Sequence, residues 1–87
     1  PDDAPTADYL VESEEEADVL RACIDQLPPE QKEVLLLRHE SDLTFREIAE
    51  LTDCSINTAL GRMRYALINL RRMMEESKIS ESLEVNQ

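Results

Sequence analysis

Two helix start signals lie eleven residues apart in residues 44–65, TFREIAELTDCSINTALGRMRY. Thr44 and Glu47 form the capping-box pattern T-x-x-E, and Ser55 can cap a second helix. A helix that starts after Thr44 must therefore end after about two turns, at the polar break Thr52-Asp53-Cys54. This spacing predicts a short helix, a tight turn and a longer helix, which is the arrangement of a helix-turn-helix motif.

The remainder of the chain predicts two further helices, so we expect an all-α fold: a small four-helix domain with a C-terminal helix-turn-helix. One glycine and three aromatic residues among 87 disfavour a sheet. Ser13 can cap a first helix that ends at Pro28-Pro29, and Pro29 can begin a second helix that ends near His39. The apolar run Val34-Leu35-Leu36-Leu37 predicts contacts on more than one side, which favours a central position for the second helix.

The composition along the chain predicts three segments. Residues 1–12, with two prolines and four acidic residues, indicate an acidic linker or tail. Residues 13–76 form the predicted domain, in which Phe45, Ile48 and Leu51 give the third helix its apolar stripe and the fourth helix runs from Ile56 to about Glu76. Residues 77–87 are predicted to be a frayed tail. Because the chain begins with Pro1 and not with Met, we expect it to be a fragment or a processed form of a longer protein.

The net charge of −11 argues against a general affinity for nucleic acid, but the charge is unevenly distributed. Residues 1–30 carry a net charge of −9, residues 31–54 carry −3, residues 55–72 carry +4, and residues 73–87 carry −3. The positive block contains four arginines and no acidic residue. Scattered arginines on a helix are usually solvated, but four without any acid in so acidic a chain favour an anionic partner such as DNA.

A helical projection divides the fourth helix into two faces. An apolar arc roughly 120° wide predicts the side that packs on the core. It contains Ile56, Ala59, Leu60, Met63, Ala66, Leu67, Leu70 and Met74. The opposite side is basic and hydrogen-bonding, and contains Asn57, Thr58, Gly61, Arg62, Arg64, Tyr65, Ile68, Asn69, Arg71 and Arg72.

The candidate DNA-binding residues lie at the beginning of this helix. They are Ser55, Asn57, Thr58, Gly61, Arg62, Arg64 and Tyr65. A helix N-terminus with free N–H groups favours a phosphate, and arginine can bond to phosphate or to guanine. Two features of the motif agree: Ala49 is small where the two helices should cross, and Asp53 tolerates the left-handed backbone that the turn requires. Individually, Gly61 could instead accommodate a neighbouring helix, and Tyr65 could lie at the edge of the core.

Residues 27–72 resemble the region 4 domain of bacterial sigma factors, most closely the extracytoplasmic-function (ECF) group. Three pieces of sequence carry the resemblance: LPPEQKEVLLLR, LTFREIAE and SINTALGRMRYAL. The resemblance implies that the last helix enters the major groove of the −35 promoter element and that the domain docks on the flap of the RNA polymerase β subunit. It also implies that residues 1–12 are an interdomain linker and that an anti-sigma factor is a potential partner.

By position, the resemblance places Thr58, Gly61, Arg62, Arg64 and Tyr65 at the DNA-facing positions of the recognition helix. The chain departs from the family at Leu60, where Lys or Arg is common, and at Gly61, where Ser is frequent. Asp42 also replaces a common Gly before the third helix. These departures concern the base sequence that is recognised more than the fold.

Two alternatives remain open from the residues alone. One is a LuxR-type helix-turn-helix regulator that binds palindromic sites as a dimer. The other is a protein-interaction module that does not bind DNA. An enzyme is disfavoured because His39, Cys23 and Cys54 lack metal-ligand spacing and no nucleophile lies in a recognisable motif, so we expect neither a cofactor nor a metal. No apolar run is long enough to span a membrane, and two cysteines fit a reducing cytosol, so we expect a cytoplasmic protein.

Overall fold

The computed structural model describes the backbone of residues 11–85 and the side chains of residues 11–79. Four helices follow one another: α1 (Glu14–Asp25), α2 (Pro29–His39), α3 (Phe45–Leu51) and α4 (Ile56–Val85). Residues 11–85 contain no β-strand. The predicted all-α fold, with four helices and a helix-turn-helix formed by the last two, is confirmed.

Side-chain caps fix the predicted starts of α1, α3 and α4, and a proline marks the start of α2. The Ser13 hydroxyl accepts a hydrogen bond from the Glu16 amide at 3.2 Å, and Pro29 is the first residue of α2. At α3, the Thr44 amide donates to Glu47 Oε1 at 2.9 Å and the Glu47 amide donates to Thr44 Oγ1 at 3.1 Å. These reciprocal bonds complete the capping box, which makes Phe45 the first residue of the short helix.

The core is built around α4, which packs against all three other helices. The buried apolar residues are Cys23, Leu27, Val34, Leu35, Phe45, Ile48, Ala49, Ala59, Met63, Ala66, Leu67, Leu70 and Met74. The prediction that α2 is the central helix is wrong, although α2 does contact both α3 and α4. With 30 residues, α4 is about 45 Å long, so it can extend along all of its shorter neighbours.

Two residues expected in the core are exposed. Leu51 is 66% exposed because Phe45, Ile48 and Ala49 define the buried arc of α3, and Leu51 falls roughly 110° away from its centre. Ile56 is 41% exposed although it lies on the core side of the helical projection. It is the first residue of α4, and since helical side chains lean towards the N-terminus, its side chain extends past the end of the helix.

The fourth helix continues to Val85, beyond the predicted end at Glu76. No glycine or proline follows Gly61, so the sequence contains no residue that stops the helix. The buried side chain of Met74 and an ion pair between Lys78 and Glu16, with 3.9 Å between the charged atoms, also hold this part of α4 against α1. The predicted tail at 77–87 is therefore helical in its backbone as far as residue 85.

The connection between α2 and α3 is held by Arg38. Its Nη1 atom donates to the Leu43 carbonyl at 2.8 Å, and its guanidinium lies 5.4 Å from the centre of the Phe45 ring. Asp42 adopts a φ of 53°, a left-handed conformation that explains why glycine suits this position. Arg38 is thus a structural arginine that fixes the approach to the helix-turn-helix.

Candidate nucleic-acid interface

The turn between α3 and α4 is a Schellman motif. Asp53 has a φ of 55°, the Cys54 amide donates to the Ala49 carbonyl at 3.0 Å, and the Asp53 amide donates to the Glu50 carbonyl at 3.4 Å. The Thr52 hydroxyl donates to the Ile48 carbonyl at 2.7 Å. These bonds satisfy the carbonyl groups at the end of α3 and fix the direction in which α4 starts. Asp53 therefore adopts the left-handed backbone that its position in the sequence predicts.

The first turn of α4 presents two hydroxyl groups to solvent. Ser55 Oγ accepts from the Thr58 amide at 3.0 Å and donates to Thr58 Oγ1 at 2.9 Å, so the predicted cap is formed. Ser55, Asn57 and Thr58 are all exposed. The N–H groups of a first helical turn lack intrahelical acceptors and favour an anion.

The side of α4 that faces away from the core carries the predicted site; we call it the outer face. It consists of Asn57, Thr58, Gly61, Arg62, Arg64, Tyr65 and Ile68. Gly61 and Arg62 are half-buried, and the other five residues are exposed. On the opposite side of the same helix, Ala59, Met63, Ala66 and Leu70 have no exposed surface. The structure thus brings the predicted DNA-binding residues together on the outer face, with Ser55 at its N-terminal end.

Among the described residues, the arginines of the outer face have no carboxylate partner. Within the described part of the chain, neither Arg62 nor Arg64 forms a salt bridge or a side-chain hydrogen bond. Arg72 instead pairs with Glu76 at 3.2 Å, one helical turn further along α4. The charges of Arg62 and Arg64 are therefore available to a ligand.

The basic side of α4 is shorter than the helical projection predicts. The Asn69 amide nitrogen donates to Gln31 Oε1 at 2.8 Å and thereby ties α4 to α2. Arg72 is engaged by Glu76. Because both side chains have partners inside the domain, the free hydrogen-bonding groups are concentrated in the first three turns of α4.

Gly61 does not accommodate a neighbouring helix. A Cβ atom built at this position would meet nothing within 4 Å, so the alternative interpretation as a packing glycine is wrong. A glycine inside a helix costs about 1 kcal/mol relative to alanine. The absence of a side chain here leaves the outer face open to the close approach of a partner.

Arg46 lines the same cleft as Ser55, and the sequence pattern does not predict it as a site residue. It is exposed on α3, and residues 11–79 provide no partner for its charge. It lines a shallow cleft of about 530 Å³ at the helix-turn-helix, together with Ala49, Glu50, Asp53, Cys54, Ser55 and Ile56. The net negative charge of residues 31–54 concealed it. The helical spacing of α3 could have found it, since Phe45, Ile48 and Ala49 face inward and leave position 46 outside.

Within residues 11–79, the cysteines and the acidic side chains form no further chemical site. Burial raises the pKa of the Cys23 thiol, and Cys54 is half-buried with its sulfur 3.2 Å from Thr52 Oγ1. Among the described residues, no group of three or more His, Cys, Asp or Glu side chains could hold a metal ion. In the same part of the chain, none of the helices combines the length and the apolar character needed to cross a membrane.

The family comparison agrees with this geometry. The family profile described as Sigma-70, region 4 matches residues 17–67, which is more than half of the chain and includes α3, the turn after it and the first twelve residues of α4. No curated protein and no solved structure gives a significant match. The chain belongs to the sigma-70 region 4 family.

Membership defines the general function. The chain is a non-enzymatic, DNA-binding helix-turn-helix domain of transcription initiation, and its partners are promoter DNA and RNA polymerase. The family match supports the sigma-like interpretation over the two alternatives, a LuxR-type regulator and a module without DNA binding.

Proposed function

We propose that this domain is region 4 of an ECF-type sigma factor, that α4 binds the major groove of the −35 promoter element, and that the domain docks on the β flap of RNA polymerase. The main supporting observation is the pair Arg62 and Arg64. Both lie on the outer face, opposite the core and without a carboxylate partner among the described residues.

In this proposal, the start of α4 sets the register on the DNA. The Thr58 hydroxyl, which accepts from Ser55 Oγ, and the first N–H groups of the helix donate to a backbone phosphate. Gly61 lets the helix lie close to the groove, and Arg62 donates to base edges or to phosphate from the next turn. In helix-turn-helix proteins the first helix of the motif crosses the DNA backbone, and we assign to Arg46 of α3 a phosphate contact there.

We expect the isolated domain to bind DNA weakly. Its net charge of −11 opposes the approach of a polyanion, and only three arginines of the site lack a partner within residues 11–79. Attachment to polymerase replaces a bimolecular encounter with an intramolecular one at high effective concentration. This requirement for polymerase favours docking on the flap as part of the function.

We place the flap contact in the groove between α1 and the C-terminal half of α4. Val19, Ala22 and Met73 line this groove, and none of the three is fully buried. It lies where α1 packs on α4 and is therefore separate from the outer face. A Met73→Lys variant should lose binding to an isolated β flap and keep its affinity for duplex DNA, whereas equal flap binding by both proteins would refute the location of the contact.

The proposed DNA site is tested by Arg62→Ala with Arg21→Ala as its matched control. Arg21 is likewise a helical arginine, but it is exposed on α1 and pairs there with Asp18. The probe is a duplex selected from a random pool by polymerase core carrying this domain. Arg62→Ala should weaken binding by about 1–3 kcal/mol and reduce the dependence on salt, and Arg21→Ala should change neither. Equal affinities for the three folded proteins would refute the assignment of Arg62.

A further inference from the structure

The outer face of α4 has an apolar middle with an arginine on each side. In a helix that advances about 100° per residue, Tyr65 and Ile68 lie within roughly 30° of the point directly opposite the buried arc. Their side chains are well exposed, Tyr65 at 61% and Ile68 at 54%. Arg62 and Arg64 lie roughly 90° and 70° from the same point, on opposite sides of it. Apolar surface, and not charge, therefore points most directly away from the core.

Open space adjoins the Tyr65 ring. Tyr65 lies one turn after Gly61, and helical side chains lean towards the N-terminus, so the ring leans towards the glycine. A Cβ atom built at Gly61 would meet nothing within 4 Å among the described residues, so the ring does not fill the space above Gly61. The ring is thus accessible from this side to a group the size of a methyl.

The apolar middle of the face matches one group of the DNA major groove. Of the groups that base pairs present there, the C5-methyl of thymine is the apolar one, and the others donate or accept hydrogen bonds. An aromatic ring placed against a donor or acceptor removes its water without replacing the hydrogen bond, which costs free energy. Placed against a thymine methyl, the ring instead removes apolar surface from water.

The two arginines are placed for a different contact. The major groove is about 12 Å wide and a helix with its side chains is about 10–12 Å across, so a helix in the groove has its sides against the two phosphate backbones. Arg62 and Arg64 lie on these sides, and neither has an ionic partner in the described part of the chain. Their charges therefore suit phosphates, which carry no sequence information.

We propose that the Tyr65 ring recognises the methyl group of a thymine, while Arg62 and Arg64 bind phosphates on the two sides of the groove. This inference rests on the proposed function, because it concerns base recognition by the same helix. It makes Tyr65 a residue that determines specificity, and it makes the two arginines a source of affinity that does not depend on the base sequence.

Replacement of thymine by uracil tests the contact, because uracil pairs as thymine does and lacks only the C5-methyl. The probes are the duplex selected on polymerase core carrying this domain, and copies of it in which each thymine in turn is replaced by uracil. In fluorescence anisotropy at low salt, the wild-type chain should bind at least one copy about threefold to fivefold more weakly than the selected duplex. Equal affinities for all copies, or a selected duplex without thymine, would overturn the proposal.

Two variants of Tyr65 assign the contact to its ring. Tyr65→Ala should bind the selected duplex and the weakened uracil copy equally, whereas Tyr65→Phe, which keeps the ring and loses the hydroxyl, should preserve the difference. The comparison variant Arg64→Ala should weaken binding to both duplexes by the same factor and reduce the dependence on salt. Discrimination that survives in Tyr65→Ala, or that is lost in Tyr65→Phe, would overturn the proposal. Because Tyr65 is exposed, both variants should keep the helical circular dichroism of the wild-type chain.

The same titrations separate this inference from the proposed function. Binding that Arg62→Ala weakens, but that is equal for thymine and uracil at every position, would refute the thymine contact and leave recognition by α4 in place. No binding of any duplex by the wild-type chain would refute both.

Discussion

Gly61 gives a prediction in which stability and DNA affinity change in opposite directions. A Cβ atom at this position meets nothing within 4 Å, so Gly61→Ala introduces no clash inside the domain. It removes the cost of a glycine in a helix, which is about 1 kcal/mol. We expect the free energy of unfolding to rise by about 0.5–1 kcal/mol, which corresponds to a melting temperature roughly 2–8 °C higher for a domain of this size.

The same methyl group should weaken DNA binding, because it projects from the outer face into the space that the DNA backbone would occupy. A penalty of about 1 kcal/mol corresponds to a loss of roughly fivefold in affinity. Thermal unfolding followed by circular dichroism measures the first effect, and fluorescence anisotropy with a labelled selected duplex measures the second.

Ser77→Ala is the control for helix propensity, since it lies further along α4 and outside the outer face. It should raise stability slightly and leave DNA affinity unchanged. If Gly61→Ala lowers stability, the fold itself requires the glycine. If it raises stability and leaves DNA affinity unchanged, the close approach of DNA at Gly61 is refuted.

Three further predictions concern the turn, the capping box and the cysteines. Asp53→Gly should stabilise the domain in urea titrations by about 0.5–1 kcal/mol, because glycine adopts the left-handed backbone without strain; a loss of stability would contradict the Schellman geometry. The hydrogen bonds from the backbone and side chain of Thr44 lower the pKa of Glu47, so its contribution to stability is present above the ordinary pKa of glutamate and is lost as pH falls through the lowered pKa. Glu47→Gln should therefore reduce the loss of unfolding free energy as the pH is lowered. An unchanged pH dependence of the unfolding free energy would refute the role of Glu47 in stability. Iodoacetamide should modify Cys54 before Cys23, because Cys23 is 5% exposed and burial raises its thiol pKa; mass spectrometry that finds Cys23 modified first would contradict the packing of α1.

The helix boundaries were largely predictable because this sequence marks its helix starts with local signals. Ser13, Thr44 and Ser55 are side-chain caps, and each acts on residues within one turn of itself. Local rules are therefore sufficient for them. The end of α4 was not marked by any such signal, and the polar composition after Ser77 was mistaken for a frayed tail.

Tertiary arrangement accounts for the predictions that were wrong. The exposure of Leu51 and Ile56 depends on which arc of α3 faces the core and on where α4 begins relative to its neighbours. The central position of α4 depends on its full length, which the sequence pattern underestimated. The periodicity of apolar residues shows which face of a helix is buried, but it does not show which neighbouring helix covers that face.

The sequence predicts which face of α4 carries the candidate site, but it does not predict which residues of that face have partners inside the domain. The projection placed Arg62 and Arg64 on the outer face, since that needs only the helical period. The partners of Arg72 and Asn69 could be identified only from the structure. Arg72 pairs with Glu76, and Asn69 binds Gln31, which lies thirty-eight residues away in the sequence. Arg46 was not predicted because the net charge of residues 31–54 is negative, and such a sum does not show that one cation among them lies on the surface.

An NMR titration of the labelled chain with a duplex selected on polymerase tests the central claim most directly, because it reports which surface meets DNA. We predict saturable shifts concentrated on residues 55–65 and on the side chains of Arg46, Arg62 and Arg64, with α1 and the N-terminal half of α2 unaffected. Shifts centred on α1 or α2, or the absence of any shift up to the highest duplex concentration at low salt, would contradict the assignment of α4 as the recognition helix.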